Sequence, residues 1–296
     1  MSTFGLKNNP YLLLILAVLL WAGNFILGRA FHGDIPPVAL AFWRWACASL
    51  IIIGPALKHL RQDRRTLLKH WPIILLLSAI GIAAFNTLAY SGLQYTQAIN
   101  AFLMQSLMPI LIVMLSFLIF KERVRPLQAV GIFVSLTGAV AIIAQGDFAI
   151  LAALEFNQGD LLVAAAILCY AGYSVMLRKR PLVHPLSFIA VTFWLGTMII
   201  FPFYVWEILR GRTLPLQPTT FLVIGYVAIF PSIVSYLCFN RGVELLGANR
   251  AGLFIHLMPV FGSLMAILFL GEVFYWYHAV GIGLIAAGIF LATRGK

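Results

Sequence analysis

Residues 108–132 read MPILIVMLSFLIFKERVRPLQAVGI, and residues 258–282 read MPVFGSLMAILFLGEVFYWYHAVGI. At a shift of 150, Met108-Pro109 falls on Met258-Pro259, and Glu122 falls on Glu272. Ala129-Val130-Gly131-Ile132 falls on Ala279-Val280-Gly281-Ile282, Gly138 on Gly288 and Gly92 on Gly242. With one residue less, Ala22-Gly23 meets Ala171-Gly172, Pro36 meets Pro185 and Trp45 meets Trp194. One or two such matches are chance in apolar sequence. A constant offset through nearly the whole chain points to an internal repeat, residues 1–146 followed by 147–296.

The repeat is written in apolar residues. Of 296 residues, 62% are hydrophobic and 10% charged. Soluble domains run at about 45–50% and about 25%. Water cannot be the main solvent of this chain, because much of any soluble surface stays polar. A disordered chain is excluded for the same reason. Cys47, Cys169 and Cys238 each lie inside an apolar run without a C-x-x-C pair, so a disulfide framework or zinc site is not expected.

A helix needs about 20 apolar residues to cross a hydrocarbon core of about 30 Å. Ten runs meet that length: 11–30, 36–57, 72–92, 98–120, 126–145, 159–177, 185–208, 219–241, 248–270 and 275–292. They lack the period-2 alternation of a membrane strand. The first run reads as a helix and not as a signal peptide, since no small-x-small cleavage site follows it. The predicted fold is an all-α integral membrane protein of ten helices. The longest polar stretch, 58–71 (KHLRQDRRTLLKHW), reads as a loop, and no appended soluble domain is expected.

Net charge is +11, which in a soluble protein would suggest nucleic acid. Sorting it by loop changes that reading. Sixteen basic residues, Lys7, Lys296 and the cluster from Lys58 to Lys69 among them, fall in alternate loops. Arg29, Arg210 and Arg212 fall in the others, and Arg44 lies inside a helix. The positive-inside rule places both termini in the cytoplasm. Five helices per half is an odd number, so the second half enters the membrane upside down. The basic loop Lys121–Arg125 accordingly maps onto 271–275, which has no Lys or Arg. Inverted repeats of this kind are a transporter signature.

These features resemble the drug/metabolite transporter superfamily, EamA type, of five plus five helices. The resemblance rests on Trp21-Ala22-Gly23-Asn24-Phe25, on the two Met-Pro pairs, on Glu122 and Glu272, and on the two Ala-Val-Gly-Ile segments. Lys121-Glu122 departs from the family's Gly-Glu, which Gly271-Glu272 keeps. Within the superfamily the chain is similar to YddG-type exporters of aromatic and other neutral amino acids. The resemblance implies an alternating-access exporter in the inner (plasma) membrane with a small-molecule substrate.

Polar groups inside a membrane are costly, so each is a functional candidate. At about 1.5 Å per residue, Asn24, Arg44, Asn86 and Gln105 lie about 9–12 Å below the outer ends of helices one to four. Tyr90, Asn100 and Ser106 border that layer. A mirrored layer is expected from Tyr173, Trp194, Tyr236 and His256. Arg44 is the one Lys or Arg deep in a span, without an Asp or Glu beside it. Either it meets a substrate carboxylate through its paired donors, or backbone carbonyls and amides such as Asn24 and Asn86 satisfy it. His256 titrates near neutral pH and could couple protons, or could be a neutral histidine bonded in the core. The shortage of membrane carboxylates favours uniport over proton coupling. Trp21, Tyr90, Tyr173, Trp194 and Tyr236 line an apolar pocket or serve as core. Pro109 and Pro259 read as mid-helix bends, either gates or static kinks. Small residues every four positions, Gly131, Ser135, Ala139 and Ala279, Gly283, Ala287, permit close helix packing, internal or in a homodimer.

No H-E-x-x-H, G-x-S-x-G or Walker motif is found, so neither an enzyme nor a primary pump is expected. The expected partners are the lipid bilayer and a small molecule, with no nucleic acid, cofactor or metal. A proton-coupled exporter of drugs or other metabolites is the alternative reading, and a channel or membrane enzyme stands last.

Overall fold

The computed structural model describes residues 9–294 apart from 32, 97, 156, 271 and 272. Lys7, Glu272 and Lys296, which entered the reading of charges and repeats, lie outside the described residues. All regular structure among the described residues is helical. The order is α1 (Pro10–Ala30), α2 (Pro37–Lys69), α3 (71–92), α4 (98–120), α5 (Pro126–Ile143), a single turn Phe148–Ala152, α6 (158–179), α7 (Pro185–Leu209), α8 (218–246), α9 (248–270) and α10 (Trp276–Arg294). Nine of these, all but α9, are long and apolar enough among the described residues to cross a membrane.

Proline starts many of these helices. Pro37, Pro72, Pro126, Pro185 and Pro218 all sit in a first turn, where the missing N–H has no partner to lose. The same rule applies to Pro109. Hydrogen bonding in α4 is interrupted at Leu107, whose backbone stays α-helical, so Pro109 stands at the start of the second piece, Met108–Phe120, within one spanning helix. Pro259 likewise follows a 3₁₀ segment, Leu253–His256, at the start of Leu257–Leu270.

The stretch 58–71 is not a loop. Helix α2 runs unbroken for 33 residues to Lys69, about 50 Å at the α-helical rise and longer than the hydrocarbon core. Charge argues against burial in lipid, not against helix. Lys, Arg, Leu and Gln are strong helix formers, and Leu67 is buried.

Helices pack as α5 on α10, α2 on α7, α3 on α6, α1 on α8, α4 on α6 and α1 on α9. Adding five to each label, cyclically, returns the same set of pairs. Two helices carry a π segment, Ser78–Ala84 in α3 and Ile229–Val234 in α8. The α5–α10 contact is made by Gly131 and Gly138 against Gly288 and Gly281. A Cβ on Gly131 would stand 2.5 Å from the Gly288 carbonyl, and one on Gly138 2.7 Å from the Gly281 carbonyl. Ala279, Gly283 and Ala287, read as packing either internally or in a homodimer, lie on the exposed face of α10 and not at this seam. The contacting glycines are seven residues apart, a heptad step that keeps one helix face in register.

At the end of α4, Lys121 adopts φ 56°, the left-handed cap conformation. Glycine takes that conformation without penalty, which explains the Gly-Glu from which this chain departs.

Two carboxylates near helix ends, Asp160 and Glu207, are buried and cap helices. Asp160 forms a capping box with Asn157 and accepts the Thr96 hydroxyl. Glu207, on α7, accepts the backbone N–H of Val38 (3.2 Å) and Ala39 (2.7 Å) at the start of α2. Pro36, the residue at the cap position, supplies no side-chain acceptor. Glu207→Ala is expected to lower unfolding stability by about 2 kcal/mol, the upper end for a lost cap. Glu207→Gln, which keeps an acceptor, costs about half as much on the same scale. Thermal unfolding in detergent checks this, and equal midpoints for wild type and Glu207→Ala would refute the capping role.

Candidate functional site

The polar layer gathers around Arg44, whose side chain is buried. Its Nε donates to Ser232 Oγ (2.6 Å), and Nη1 donates to Asn24 Oδ1 (3.1 Å) and Tyr90 Oη (2.8 Å). Nη2 donates to the carbonyl of Pro231 (3.0 Å). The guanidinium also lies 4.7 Å from the centre of the Trp45 ring. All these partners are neutral. Tyr90 closes the cluster by donating to Asn24 Oδ1 (2.6 Å), and Trp21 Nε1 donates to the Pro231 carbonyl (3.0 Å).

The π segments explain why carbonyls are available. A π turn displaces the ordinary hydrogen-bond ladder and frees acceptors, and such turns recur at functional sites. Pro231 in α8 offers its carbonyl to Arg44 and Trp21. Gly81 in α3 offers its carbonyl to the Tyr236 hydroxyl (2.6 Å). Gly81 also has no room for a side chain, since a Cβ there would stand 2.1 Å from the Tyr173 ring.

Beside Arg44 is a space of ≈20 Å³. Trp21, Asn24, Arg44, Gln105, Met108 and Tyr170 are among its lining residues. That is room for about one water, not for an organic substrate. Gln105 Nε2 and Tyr170 Oη are buried here without hydrogen-bond partners among the described residues. Buried polar atoms usually find partners, so unspent donors beside a cation mark a place for an acceptor.

Of the remaining expected residues, Asn86 is buried and donates to the Ile82 carbonyl (3.0 Å). Tyr173 donates to Asn240 Oδ1 (2.9 Å). Tyr173 and Tyr236 join Tyr170 and Trp21 in an aromatic layer, with Trp21 edge-on to Tyr170 at 5.4 Å. His256 stands apart from the small space. The Ser106 carbonyl can only accept, so Nε2–H donates to it (2.9 Å). Nδ1 is then free to accept from the Ser135 hydroxyl (2.6 Å). Both ring nitrogens are thus engaged by protein groups.

Trp194 does not join the layer and is 52% exposed. The offset of 149 pairs it with Trp45. Helices α2 and α7 begin at Pro37 and Pro185, which sets the offset at 148 and pairs Trp45 with Phe193. Those two rings are buried and lie 4.6 Å apart. Sequence reading also missed Tyr170, Ser232 and Asn240. Pro231, inside the eighth run, was the one available signal for the freed carbonyl.

Larger cavities open on either side of the closed centre. One of ≈360 Å³ is bordered by Glu122, Arg178, Arg180, Asn240 and Glu244. Arg180 pairs with Glu244 (2.7 Å), and Arg178 with Glu122 (3.6 Å). The other, of ≈300 Å³, is bordered by Gln94, Glu207, Arg210 and Arg212.

The EamA-like transporter family model matches the chain twice, over residues 8–144 and 157–294. The chain belongs to this family. It is therefore a multi-pass membrane transporter of the EamA type, and its arginine cluster lies within a transport protein. The uncharacterized transporter YyaM of Bacillus subtilis is 26% identical over 96% of this chain and 93% of its own. An uncharacterized transporter of Archaeoglobus fulgidus is 25% identical over 97% and 98%. A probable terminal-alkyne amino-acid exporter of Streptantibioticus cattleyicolor is 26% identical over 95% and 92%. A solved crystal structure superposes with a TM-score of 0.77 over 96% of both chains at 21% identity, a likeness of fold.

Proposed function

We propose that this EamA-type transporter exports neutral and aromatic amino acids by alternating access, as a uniporter of the inner membrane with both termini in the cytoplasm. The observation that carries the reading is the donor excess at the centre. Among the described residues, Arg44 has only neutral partners, and Gln105 Nε2 and Tyr170 Oη have none. A carboxylate would accept from all three, and the aromatic layer beside them suits an apolar side chain. The relative named as an amino-acid exporter points the same way.

Ten helices as two inverted halves, 1–146 and 147–296, supply the mechanism. The double family match supports that organisation. So does the Tyr90–Asn24 bond between α3 and α1, which recurs as Tyr173–Asn240 between α6 and α8 with the residue types exchanged. Ser106 and His256, 150 apart, touch each other, as equivalents near a two-fold axis do. In this reading the ≈360 Å³ and ≈300 Å³ cavities are the cytoplasmic and outer mouths, and the ≈20 Å³ space is the substrate site closed between them.

The test is counterflow in proteoliposomes. Labelled phenylalanine and leucine are expected to exchange against excess unlabelled amino acid, whereas phenethylamine, which lacks the carboxylate, does not compete. An imposed pH gradient is expected to leave the rate unchanged within about twofold, since His256 has both nitrogens committed. Exchange of cationic dyes but of no amino acid would favour the drug-exporter reading. Acceleration by the pH gradient that vanishes in His256→Gln would establish proton coupling instead.

A further inference from the structure

The extension of α2 builds a second feature, whose lining shares no residue with the space beside Arg44. Leu57, Leu60, Arg61, Arg64, Leu67 and Leu68 follow helical spacing and form one stripe on α2. With Trp71 and Ile74 at the start of α3, and Val191 and Leu195 on α7, they line a groove of ≈490 Å³. Its walls are apolar apart from the two arginines. Leu57, Leu68 and Trp71 are all exposed.

The charges in this groove are unspent. Neither Arg61 nor Arg64 has an ion pair or hydrogen bond among the described residues. Asp63, the only acid between Lys58 and Lys69, is directed elsewhere and accepts the His184 backbone N–H (3.0 Å). Along α2 the two arginines lie between Leu57 and Leu60 on one side and Leu67 and Leu68 on the other. Val191 and Leu195 lie about 9–15 Å along α7 from its start, the depth of acyl chains. The arginines sit on the part of α2 that outruns the hydrocarbon core. Basic pockets of this type at the membrane boundary hold acidic headgroups, and Trp71 is an interfacial side chain.

We propose that this groove binds an anionic diacyl phospholipid, with Arg61 and Arg64 on the headgroup phosphate and the acyl chains along α3 and α7. A zwitterionic lipid carries the same chains but brings a compensating cation to the arginines, so it binds more weakly. The site is independent of the transported substrate.

The experiment uses the full-length protein in micelles titrated with bromine-labelled phosphatidylglycerol or phosphatidylcholine. The readout is quenching of Trp71, taken as the difference between wild type and Trp71→Phe. Phosphatidylglycerol is expected to quench at a mole fraction at least about fivefold lower than phosphatidylcholine. Arg61→Gln/Arg64→Gln, both exposed positions, is expected to bring that ratio to about one. Lys58→Gln/Lys69→Gln, on the same helix but outside the groove, is expected to keep it. Equal quenching by the two lipids in wild type overturns the proposal. So does a preference that survives loss of both arginines, or one lost equally with the two lysines, which would indicate a diffuse basic surface.

Discussion

Arg44→Met is expected to abolish transport while leaving the protein at least as stable as wild type. The side chain is buried with no carboxylate among its partners, so its charge is held at a cost. Replacing buried charged groups by apolar ones of similar volume is often neutral or stabilising. Here the neighbours are prepared for the loss. Asn24 Oδ1 still accepts from Tyr90, and the Pro231 carbonyl still accepts from Trp21. Ser232 still donates to the Val227 carbonyl (2.7 Å). Each neighbour keeps one hydrogen bond, although Ser232 Oγ and Tyr90 Oη lose the donor they accept from. Transport is different, because hydrogen bonds to a charged group contribute about 1.5–3 kcal/mol each. Losing one charge-assisted hydrogen bond to a carboxylate, at the upper end of that range, should reduce counterflow by about a hundredfold. Arg44→Lys should be less well tolerated structurally, since one ammonium cannot reach four separate acceptors. The melting midpoint in detergent and counterflow in liposomes, measured on the same preparation, decide the matter. An Arg44→Met protein that melts well below wild type yet transports normally when folded would make the arginine purely structural.

Gly288→Ala is expected to be severely destabilising, by about 3 kcal/mol, at the top of the range for overpacking. Its Cβ would meet the Gly131 carbonyl and the Ser135 backbone nitrogen, both at 2.5 Å. Neither can rotate away, so α5 and α10 must separate. Gly283→Ala, five residues earlier on the same helix, meets nothing within 4 Å. It should be neutral or stabilising by a few tenths of a kcal/mol through helix propensity. Thermal unfolding of the two variants side by side gives the result. Equal midpoints would mean the seam is loose enough to admit a methyl group.

The contrast between these two glycines shows how far the sequence can be read. Apolar run length placed the helices, because a bilayer imposes it. Depth along each helix, and with it the level shared by Asn24, Arg44 and Gln105, followed from the fixed rise per residue. Direction around the helix did not follow. One residue turns a side chain by about 100°, so an offset of 149 in place of 148 sent Trp194 toward the pocket when it faces outward. The same uncertainty left open whether Gly283 packs inside the protein or faces outward. Asn157 and Asp160 at capping-box spacing could have been read as a helix start. The carbonyls of Gly81 and Pro231 had no side-chain signature, because backbone made available by a π turn carries no residue label. Arg44 was legible because a lone cation in an apolar run needs partners. Tyr170 was not, being one aromatic among many.

The reciprocal glycine contacts have a mechanical meaning. Exchanging residues 150 apart turns the pair Gly131–Gly288 into Gly281–Gly138, which is the other contact of the same seam. A contact set that maps onto itself straddles the rotation axis. Displacement in a rotation grows with distance from the axis, so any motion that swaps the two halves leaves this seam nearly still. In the alternating access proposed above, α5 and α10 would be the fulcrum, and α1, α3, α6 and α8 the lever arms. That separation of duties accounts for the placement of steric tightness. Backbone in contact with backbone is stiff and suits a bearing, while the moving helices are joined by side-chain hydrogen bonds that can be exchanged one for another.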